Sequence, residues 1–218
     1  MTNHKVYFIS GIDTDAGKSY ATGYFAKMLL NEGKKVVTQK FIQTGCMGST
    51  DISEDILVHR KIMNISPLEC DKDFTTCPIM LNYPASADLA AKLENKTINT
   101  ELITLSTKKL SSDFDTVLIE GAGGLHVPIN GLYTTLDYIQ EHKLPLILVT
   151  NPKLGSVNHT FLSLEVARLR GIEVSHVLYN PLPKSSEIIE KDTRETIKKY
   201  LEKYHPTCQI IDIPIITI

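Results

Sequence analysis

The length, composition and charge of the chain exclude several classes of protein before any motif is considered. Of 218 residues, 42% are hydrophobic and 22% are charged, with 12 glycines and 10 prolines. These proportions are typical of a globular domain and exclude collagen-like, low-complexity and disordered chains. The chain has 23 Lys and Arg residues and 25 Asp and Glu residues, so it lacks the excess of basic residues that is typical of a nucleic-acid-binding protein. We expect one domain over residues 1–218 and no nucleic-acid partner.

The apolar runs and the cysteines indicate where the protein works. The longest apolar runs, at residues 146–149 and 210–218, contain or adjoin prolines and an aspartate, and are well under the roughly 18 residues that span a bilayer. The first residues lack the pattern of a signal peptide. The four cysteines form no C-x-x-C pair, so neither a zinc site nor a disulfide framework is indicated. We expect a cytoplasmic protein without a membrane partner.

In chain order, short aliphatic runs alternate with longer amphipathic ones, which predicts βαβ units and a parallel sheet. The predicted strands are residues 6–11, 36–40, 116–120, 146–150, 174–179 and 210–213. Helical patterns cover residues 18–31, 51–63 and 86–94, with two more around residues 162–169 and 197–204. We therefore expect an α/β fold with a doubly wound, mostly parallel sheet and helices on both faces. In such sheets ligands bind beyond the carboxyl ends of the strands.

A phosphate-binding loop follows the first strand. Residues 11–19 read Gly-Ile-Asp-Thr-Asp-Ala-Gly-Lys-Ser and lead directly into a helical pattern, which is the strand–loop–helix setting that such loops require. Glycines let backbone N–H groups turn towards phosphate oxygens, while Lys18 would reach the terminal phosphates and the Ser19 hydroxyl would bind Mg²⁺. Five residues rather than four separate Gly11 from Gly17. The alternative is an ordinary glycine turn before a helix.

A second motif stands at the end of the third predicted strand. Residues 117–124 read Val-Leu-Ile-Glu-Gly-Ala-Gly-Gly, an apolar strand that ends in a carboxylate followed by glycines. Glu120 resembles a Walker-B-type acid that reaches a metal directly or through water, and the glycines allow a phosphate or substrate to lie against bare backbone. The alternative is a capped turn.

Four further segments at predicted strand ends are open to two interpretations each. Lys40 could neutralise a transferring phosphoryl group, although a lone strand-end lysine is more often solvated. Asp55 could bind Mg²⁺, but its spacing alone favours a first-turn helix carboxylate. Residues 153–159 could offer helix amides to a carboxylate or form an ordinary capped loop. Asn180, followed by Pro181, could present its amide to a nucleobase or form a common turn.

Together these motifs resemble the dethiobiotin synthetase family, ATP-dependent ligases of biotin synthesis. The resemblance rests on residues 11–19, 40–45, 117–124, 153–159 and 180–181 in that order, and the five-residue gap in the loop is characteristic of the family. It implies a P-loop NTP hydrolase-like fold and a homodimer with substrate sites at the interface. It also implies that 7,8-diaminopelargonic acid is carboxylated by CO₂ and that the ureido ring closes through a carbamic-phosphoric mixed anhydride, with MgATP converted to ADP and phosphate.

The same resemblance implies a role for each site residue. The catalytic residues would be Lys18, Lys40 and Thr14, and the Mg²⁺ ligands would be Ser19, Asp55 and Glu120. The nucleotide-binding residues would be Asp15, Ala16, Gly17, Lys18, Ser19, Tyr20, Asp55, Glu120, Gly121, Ala122, Gly123, Asn180 and Pro181. The substrate-binding residues would be Thr44, Gly121, Gly123, Gly124, Leu154, Gly155 and Asn158, with the last three supplied to the diamine's carboxylate by the partner subunit.

The sequence departs from the family pattern at three places. Phe41 stands where the family usually has proline, and Ala87 and Asp88 stand where a Pro-His pair is common. The chain ends at Ile218, which is short for the family, so we expect weak adenine selectivity. The competing interpretation is a deviant-loop NTPase switch of the partition or division-site type. Such switches usually carry a second lysine early in the loop, and residues 11–17 contain none.

Overall fold

A six-stranded parallel sheet forms the centre of the computed structural model, which describes residues 5–46 and 52–217. The strands in chain order are β1 (Lys5–Gly11), β2 (Val36–Lys40), β3 (Thr116–Gly124), β4 (Pro128–Asn130), β5 (Tyr133–Thr134), β6 (Leu146–Thr150), β7 (Val174–Tyr179) and β8 (Gln209–Asp212). The sheet has the order β2-β3-β1-β6-β7-β8, and β4 and β5 form a separate antiparallel hairpin. Every neighbouring pair in the sheet is parallel.

Helices connect these strands. They are α1 (Lys18–Asn31), α2 (Glu54–Met63), α3 (Glu69–Lys72), α4 (Ala87–Leu93), α5 (Thr100–Asp113), α6 (Thr135–Glu141), α7 (Ser156–Leu169) and α8 (Glu187–Tyr204), with a 3₁₀ turn at Thr14–Ala16. In the described residues, no helix is both long and apolar enough to cross a membrane.

Both faces of the sheet are buried, because successive side chains of a strand point to opposite sides. Phe8 belongs to the core that α5, α6, α7 and α8 cover, whereas its neighbour Ile9 packs with Phe25 and Leu29 of α1. Strands covered on both faces read as continuous apolar runs, as the first four residues of β6 do. This arrangement confirms the doubly wound α/β fold that the sequence predicts.

Several predicted boundaries are wrong in detail. β3 continues to Gly124 rather than ending at Glu120, and β8 covers residues 209–212 rather than 210–213. The helix predicted from residue 51 begins at Glu54, where the Ser53 hydroxyl accepts a hydrogen bond from the Ile56 N–H. Asp51 lies outside the described residues. The sequence patterns also missed α3, α5, α6 and the β4–β5 hairpin, which are short or, in α5, rich in Ser and Thr with low helix propensity.

Candidate active site

The carboxyl ends of β1, β2 and β3 meet at an open cleft of about 450 Å³, called here the loop cleft. Most of the predicted site residues line it: Thr14, Asp15, Gly17, Lys18, Ser19, Tyr20, Lys40, Thr44, Asp55, Glu120, Ala122 and Gly123. These residues come from four distant parts of the chain. The parallel order β2-β3-β1 brings them together, because it places the ends of all three strands at the same edge of the sheet.

The phosphate loop has the backbone that its sequence predicts. Gly17 adopts a left-handed conformation with φ of 88°, which glycine adopts without strain. The Lys18 amine donates hydrogen bonds to the carbonyl oxygens of Asp13 and Thr14, both at 2.9 Å. Burial lowers the pKa of Lys18 to about 8. Lys18 therefore lies against the loop, with its amine held by two neutral oxygens rather than by a carboxylate.

Two carboxylates converge on the Ser19 hydroxyl. Its Oγ lies 2.8 Å from Asp55 Oδ1 and 2.9 Å from Glu120 Oε1. Such hard oxygen ligands suit Mg²⁺, which normally takes one or two carboxylates and completes its shell with phosphate oxygens and water. The described residues contain no group of three or more His, Cys, Asp or Glu side chains placed for a metal. The donor set thus fits a nucleotide-associated Mg²⁺ better than a metal held by protein alone.

Lys40 is buried between the same two carboxylates. Its Nζ lies 2.5 Å from Asp55 Oδ2 and 2.8 Å from Glu120 Oε1, and its side chain is 6% exposed. Burial alone would lower the pKa of Lys40, but the two carboxylates outweigh burial and raise it. Burial likewise disfavours the Glu120 carboxylate, yet the charge of Lys40 and the hydrogen bonds from Lys40 and His59 hold the pKa of Glu120 below its usual range. The interpretation of Lys40 as a solvated lysine is therefore wrong.

The Asp55 carboxylate faces the loop cleft, although Asp55 lies in the first turn of α2. Ser53, not Asp55, caps the helix. Asp55 does lie in the first helical turn, as its spacing predicts, but the packing of α2 against α1 also brings its carboxylate to Ser19. That contact joins residues 36 positions apart, so local spacing could not show it.

A second open cleft of about 520 Å³ adjoins the loop on its other side. Its lining is mainly apolar and comes from the phosphate loop, the end of β3 and helix α7; Thr14 lines both clefts and Gly124 lines this one. Leu154, Gly155 and Asn158 line neither cleft, and Leu154 is 91% exposed. Their predicted contact with a substrate bound to the partner subunit stays a prediction.

Asn180 lies beneath the phosphate loop. Its side-chain amide donates to the Ala16 carbonyl at 3.0 Å, and its Oδ1 accepts from the Leu182 N–H. A side chain at Gly17 would place Cβ only 2.2 Å from the Asn180 Nδ2. Asn180 therefore supports the loop, and the predicted contacts of Asn180 and Pro181 with a nucleotide stay predictions.

Gly121 shows how closely the end of β3 is packed. A Cβ atom at this position would lie 2.8 Å from the Phe8 ring, and the Gly121 carbonyl accepts a hydrogen bond from Lys40 at 3.3 Å. A larger residue would therefore collide with Phe8 of β1. The predicted contacts of Gly121 with nucleotide and substrate stay predictions.

Sequence reasoning missed two buried residues of α2 that lie behind the carboxylates. His59 Nε2 is 2.5 Å from Glu120 Oε2, and Arg60 donates to the Thr38 hydroxyl and pairs with Asp71. One signal was available, since His59 stands four residues after Asp55 and residues at i and i+4 share a helix face.

Comparisons with known proteins decide the family. A family model described as an AAA domain matches residues 5–216. ATP-dependent dethiobiotin synthetase BioD 2 of Pasteurella multocida is 52% identical over 202 residues, which are 93% of each chain. The enzyme of the same name from Haemophilus influenzae is 54% identical over 86% of this chain and 96% of that one. The chain belongs to the dethiobiotin synthetase family. A more distant synthetase, from Chlorobaculum tepidum, is 44% identical over 92% of this chain and 82% of its own.

Solved structures support the fold. A ParA family ATPase from Chlorobium tepidum is 20% identical, with a TM-score of 0.51 over 89% of this chain and 81% of that one. The signal recognition particle receptor FtsY from Elizabethkingia anophelis in complex with GDP is 14% identical, with a TM-score of 0.55 over 95% of this chain and 56% of that one. At such identities the likeness concerns the fold alone.

Proposed function

We propose that the chain is an ATP-dependent dethiobiotin synthetase, a ligase that forms carbon–nitrogen bonds. One observation carries the proposal: Lys18, Ser19, Lys40, Asp55 and Glu120 line a single cleft at the end of the phosphate loop. Relatives that bear this name at 44% to 54% identity support it. The family match over residues 5–216 also supports one catalytic unit.

The proposed reaction joins three reactants in three steps. One amine of 7,8-diaminopelargonic acid attacks CO₂, so that a C–N bond forms and a proton leaves to give a carbamate. A carbamate oxygen then attacks the γ-phosphorus of ATP, and the bond to ADP breaks. The second amine attacks the carbonyl carbon of this mixed anhydride, loses its proton and displaces phosphate. The ureido ring of dethiobiotin is then closed.

Positive charge placed at the cleft would accelerate the phosphoryl step. Phosphoryl transfer depends mainly on positioning and on groups that offset developing negative charge. Lys40 is held in its charged form by two carboxylates, and Lys18 can exchange its two carbonyl partners for phosphate oxygens. The hydroxyls of Thr14 and Thr44 would donate to phosphate or carbamate oxygens.

Ser19, Asp55 and Glu120 would hold Mg²⁺. When bound, the ion would neutralise charge on the ATP phosphates. Lys40 already lies between the two carboxylates, so the lysine and the ion would share them, and the site would hold the Mg²⁺–ATP complex more readily than Mg²⁺ alone.

We place the diamine in the cleft beside α7. Thr14 lines both this cleft and the loop cleft, so a diamine there would have its amines beside the phosphates. The apolar lining suits a hydrocarbon chain. Leu154, Gly155 and Asn158 are exposed at the start of α7, where they would meet the substrate carboxylate of a partner in a homodimer. We also propose a cytoplasmic location, which the four unpaired cysteines support.

Phosphate release from MgATP tests the proposal against its competitor. A synthetase should release phosphate only when both the diamine and bicarbonate are present, and dethiobiotin should form in equal amount. Release that ignores the diamine would contradict the proposal and favour a nucleotide switch. The named relatives do not favour that switch, although a ParA family ATPase shares the fold.

A further inference from the structure

The two oxygens of the Glu120 carboxylate have different surroundings. Oε1 lies on the side of the loop cleft, where it accepts from Lys40 and is 2.9 Å from Ser19 Oγ. Oε2 faces the protein interior, 2.5 Å from His59 Nε2, and both side chains are fully buried. The orientation of Oε1 in the cleft therefore depends on what holds Oε2 behind it.

The hydrogen-bonding capacity of each group sets the direction of the bonds. Arg60 can only donate, and its Nη1 lies 2.7 Å from Thr38 Oγ1. The single proton of the Thr38 hydroxyl then points to His59 Nδ1, at 3.0 Å, and among the described residues it has no other acceptor. With Nδ1 accepting, Nε2 is the ring nitrogen that carries a proton, and it donates to Glu120 Oε2.

The start of this chain of hydrogen bonds is firmly anchored. Arg60 is 1% exposed and its Nε and Nη2 donate to the two oxygens of Asp71, at 2.9 and 2.7 Å. Asp71 also accepts from the Leu68 N–H at 2.7 Å and from the Thr76 hydroxyl at 2.8 Å. Each buried polar atom of the anchor thus has a fixed partner, which restricts the rotamer of Arg60.

We propose that His59 is a positioning residue that holds Glu120 Oε1 towards the cleft, with its Nε2 proton fixed by Arg60 through Thr38. The inference rests on the proposed function in one respect, the role of Glu120 towards Mg²⁺–ATP. Groups behind a metal-binding side chain fix its orientation and basicity, and their loss commonly weakens metal binding or activity about 10- to 100-fold.

The first test concerns the protein without Mg²⁺ or nucleotide and needs no activity. The ¹⁵N chemical shifts of the histidine rings report which nitrogen carries the proton. We expect His59 to be protonated on Nε2 alone in the native protein and in Thr38→Ser, which keeps the hydroxyl. Thr38→Val should lose this preference. A ring protonated on Nδ1, or on both nitrogens, would overturn the proposed chain of hydrogen bonds.

The second test measures Mg²⁺ binding to the protein with ATP by calorimetry. His59→Leu should weaken Mg²⁺ binding about 10- to 100-fold, whereas His59→Gln keeps an N–H donor and should recover most of the loss. His176→Gln is the matched control, because His176 is a partly buried histidine near the amino ends of the strands, away from the loop cleft. Native-like binding by His59→Leu, or equal loss in His59→Leu and His59→Gln, would overturn the proposal.

The two tests separate this inference from the proposed function. A protein that binds Mg²⁺–ATP through Glu120 but makes no dethiobiotin would contradict the synthetase and leave the positioning role intact. An active synthetase whose His59→Leu variant binds Mg²⁺ normally would do the reverse. If His59→Leu does not fold, the ring tautomer of the native protein still tests the proposed chain of hydrogen bonds, and His59→Gln still tests Mg²⁺ binding.

Discussion

The two ends of strand β2 carry the same kinds of charged residue in opposite environments. Before the strand, Lys34 pairs with Glu32 at 2.6 Å, and the two side chains are 48% and 53% exposed. At its end, Lys40 pairs with Asp55 and Glu120, and Lys40 and Glu120 are 6% and 0% exposed. Exposed pairs contribute about 0–1 kcal/mol because water screens them, whereas removing one partner of a buried pair costs about 3–5 kcal/mol.

The arginines show the same contrast. Arg60 and Asp71 form a bidentate pair beneath the loop cleft, and Arg194 and Asp212 form one of similar geometry on the surface. Only the first is buried; the side chains of the second are 34% and 57% exposed. In this protein, the contribution of a charged side chain therefore depends more on how deeply it is buried than on its residue type.

The largest effect is expected from Lys40→Ala. Turnover should fall roughly a hundredfold or more, because a positive charge is lost where negative charge develops. Stability should fall by about 3–5 kcal/mol, because Asp55 and Glu120 keep their charges without the buried cation that pairs with them. Steady-state phosphate release and urea unfolding measure the two. Lys34→Ala is the matched control and should change neither, and a near-normal rate in Lys40→Ala would show that its proposed role is wrong.

Arg60→Leu and Arg194→Leu compare the two bidentate pairs directly. We expect Arg60→Leu to lower the free energy of unfolding by about 3–5 kcal/mol, since the buried Asp71 charge is left unpaired. Arg194→Leu should cost about 0–1 kcal/mol. Both are measured by urea unfolding. Equal losses would mean that burial does not separate these pairs.

Asn180→Ala tests the support beneath the phosphate loop. It leaves the buried Ala16 carbonyl without its partner, a loss of about 1–3 kcal/mol. If Asn180 acts only through the loop, affinity should fall alike for all nucleoside triphosphates in a competition assay. Loss confined to ATP would instead support the predicted contact with adenine, and the same panel measures the adenine selectivity of the native protein.

Lys18 should make the stability of the protein depend on pH. Its pKa falls from 10.5 to about 8 on folding, so the unfolded chain binds more protons between these values and this group makes stability rise with pH there. Below about pH 8 the native protein carries the full cost of burying the charge. Lys18→Met should therefore be more stable than the native protein below pH 8, with a difference that shrinks towards pH 10.5. Urea midpoints across this range would show it, and a difference independent of pH would contradict it.

The sequence predicted much of the fold because both faces of the sheet are buried. Strands β2, β6 and β7 match their predicted bounds, and so does helix α1, since continuous apolar runs and a glycine at each end are local signals. Helix α5 was missed because it buries only Ile103, Thr107 and Leu110 on a polar sequence. Its position depends on the sheet it covers rather than on its own pattern.

The candidate site divides in the same way. The conformation of the phosphate loop at residues 11–19 could be predicted from the chain, because its glycines and the start of α1 are neighbours in sequence. The surroundings of Lys40 and Asp55 could not be predicted, because each contacts a partner far along the chain. Lys40 and Glu120, for example, are 80 residues apart. His59 and Arg60 were missed for the same reason.

The sequence by itself determined the class of sheet and the phosphate loop, because these depend on local spacing and on which residues are apolar, and its motifs resemble the dethiobiotin synthetase family. Only the tertiary structure showed which charged side chains are buried and paired. Burial removes water from Lys40, Glu120, His59 and Arg60, and without water each polar atom must find its partner within the protein. The resulting hydrogen bonds connect Thr38 of β2 and Glu120 of β3 to His59 of α2 and fix the orientation of the Glu120 carboxylate.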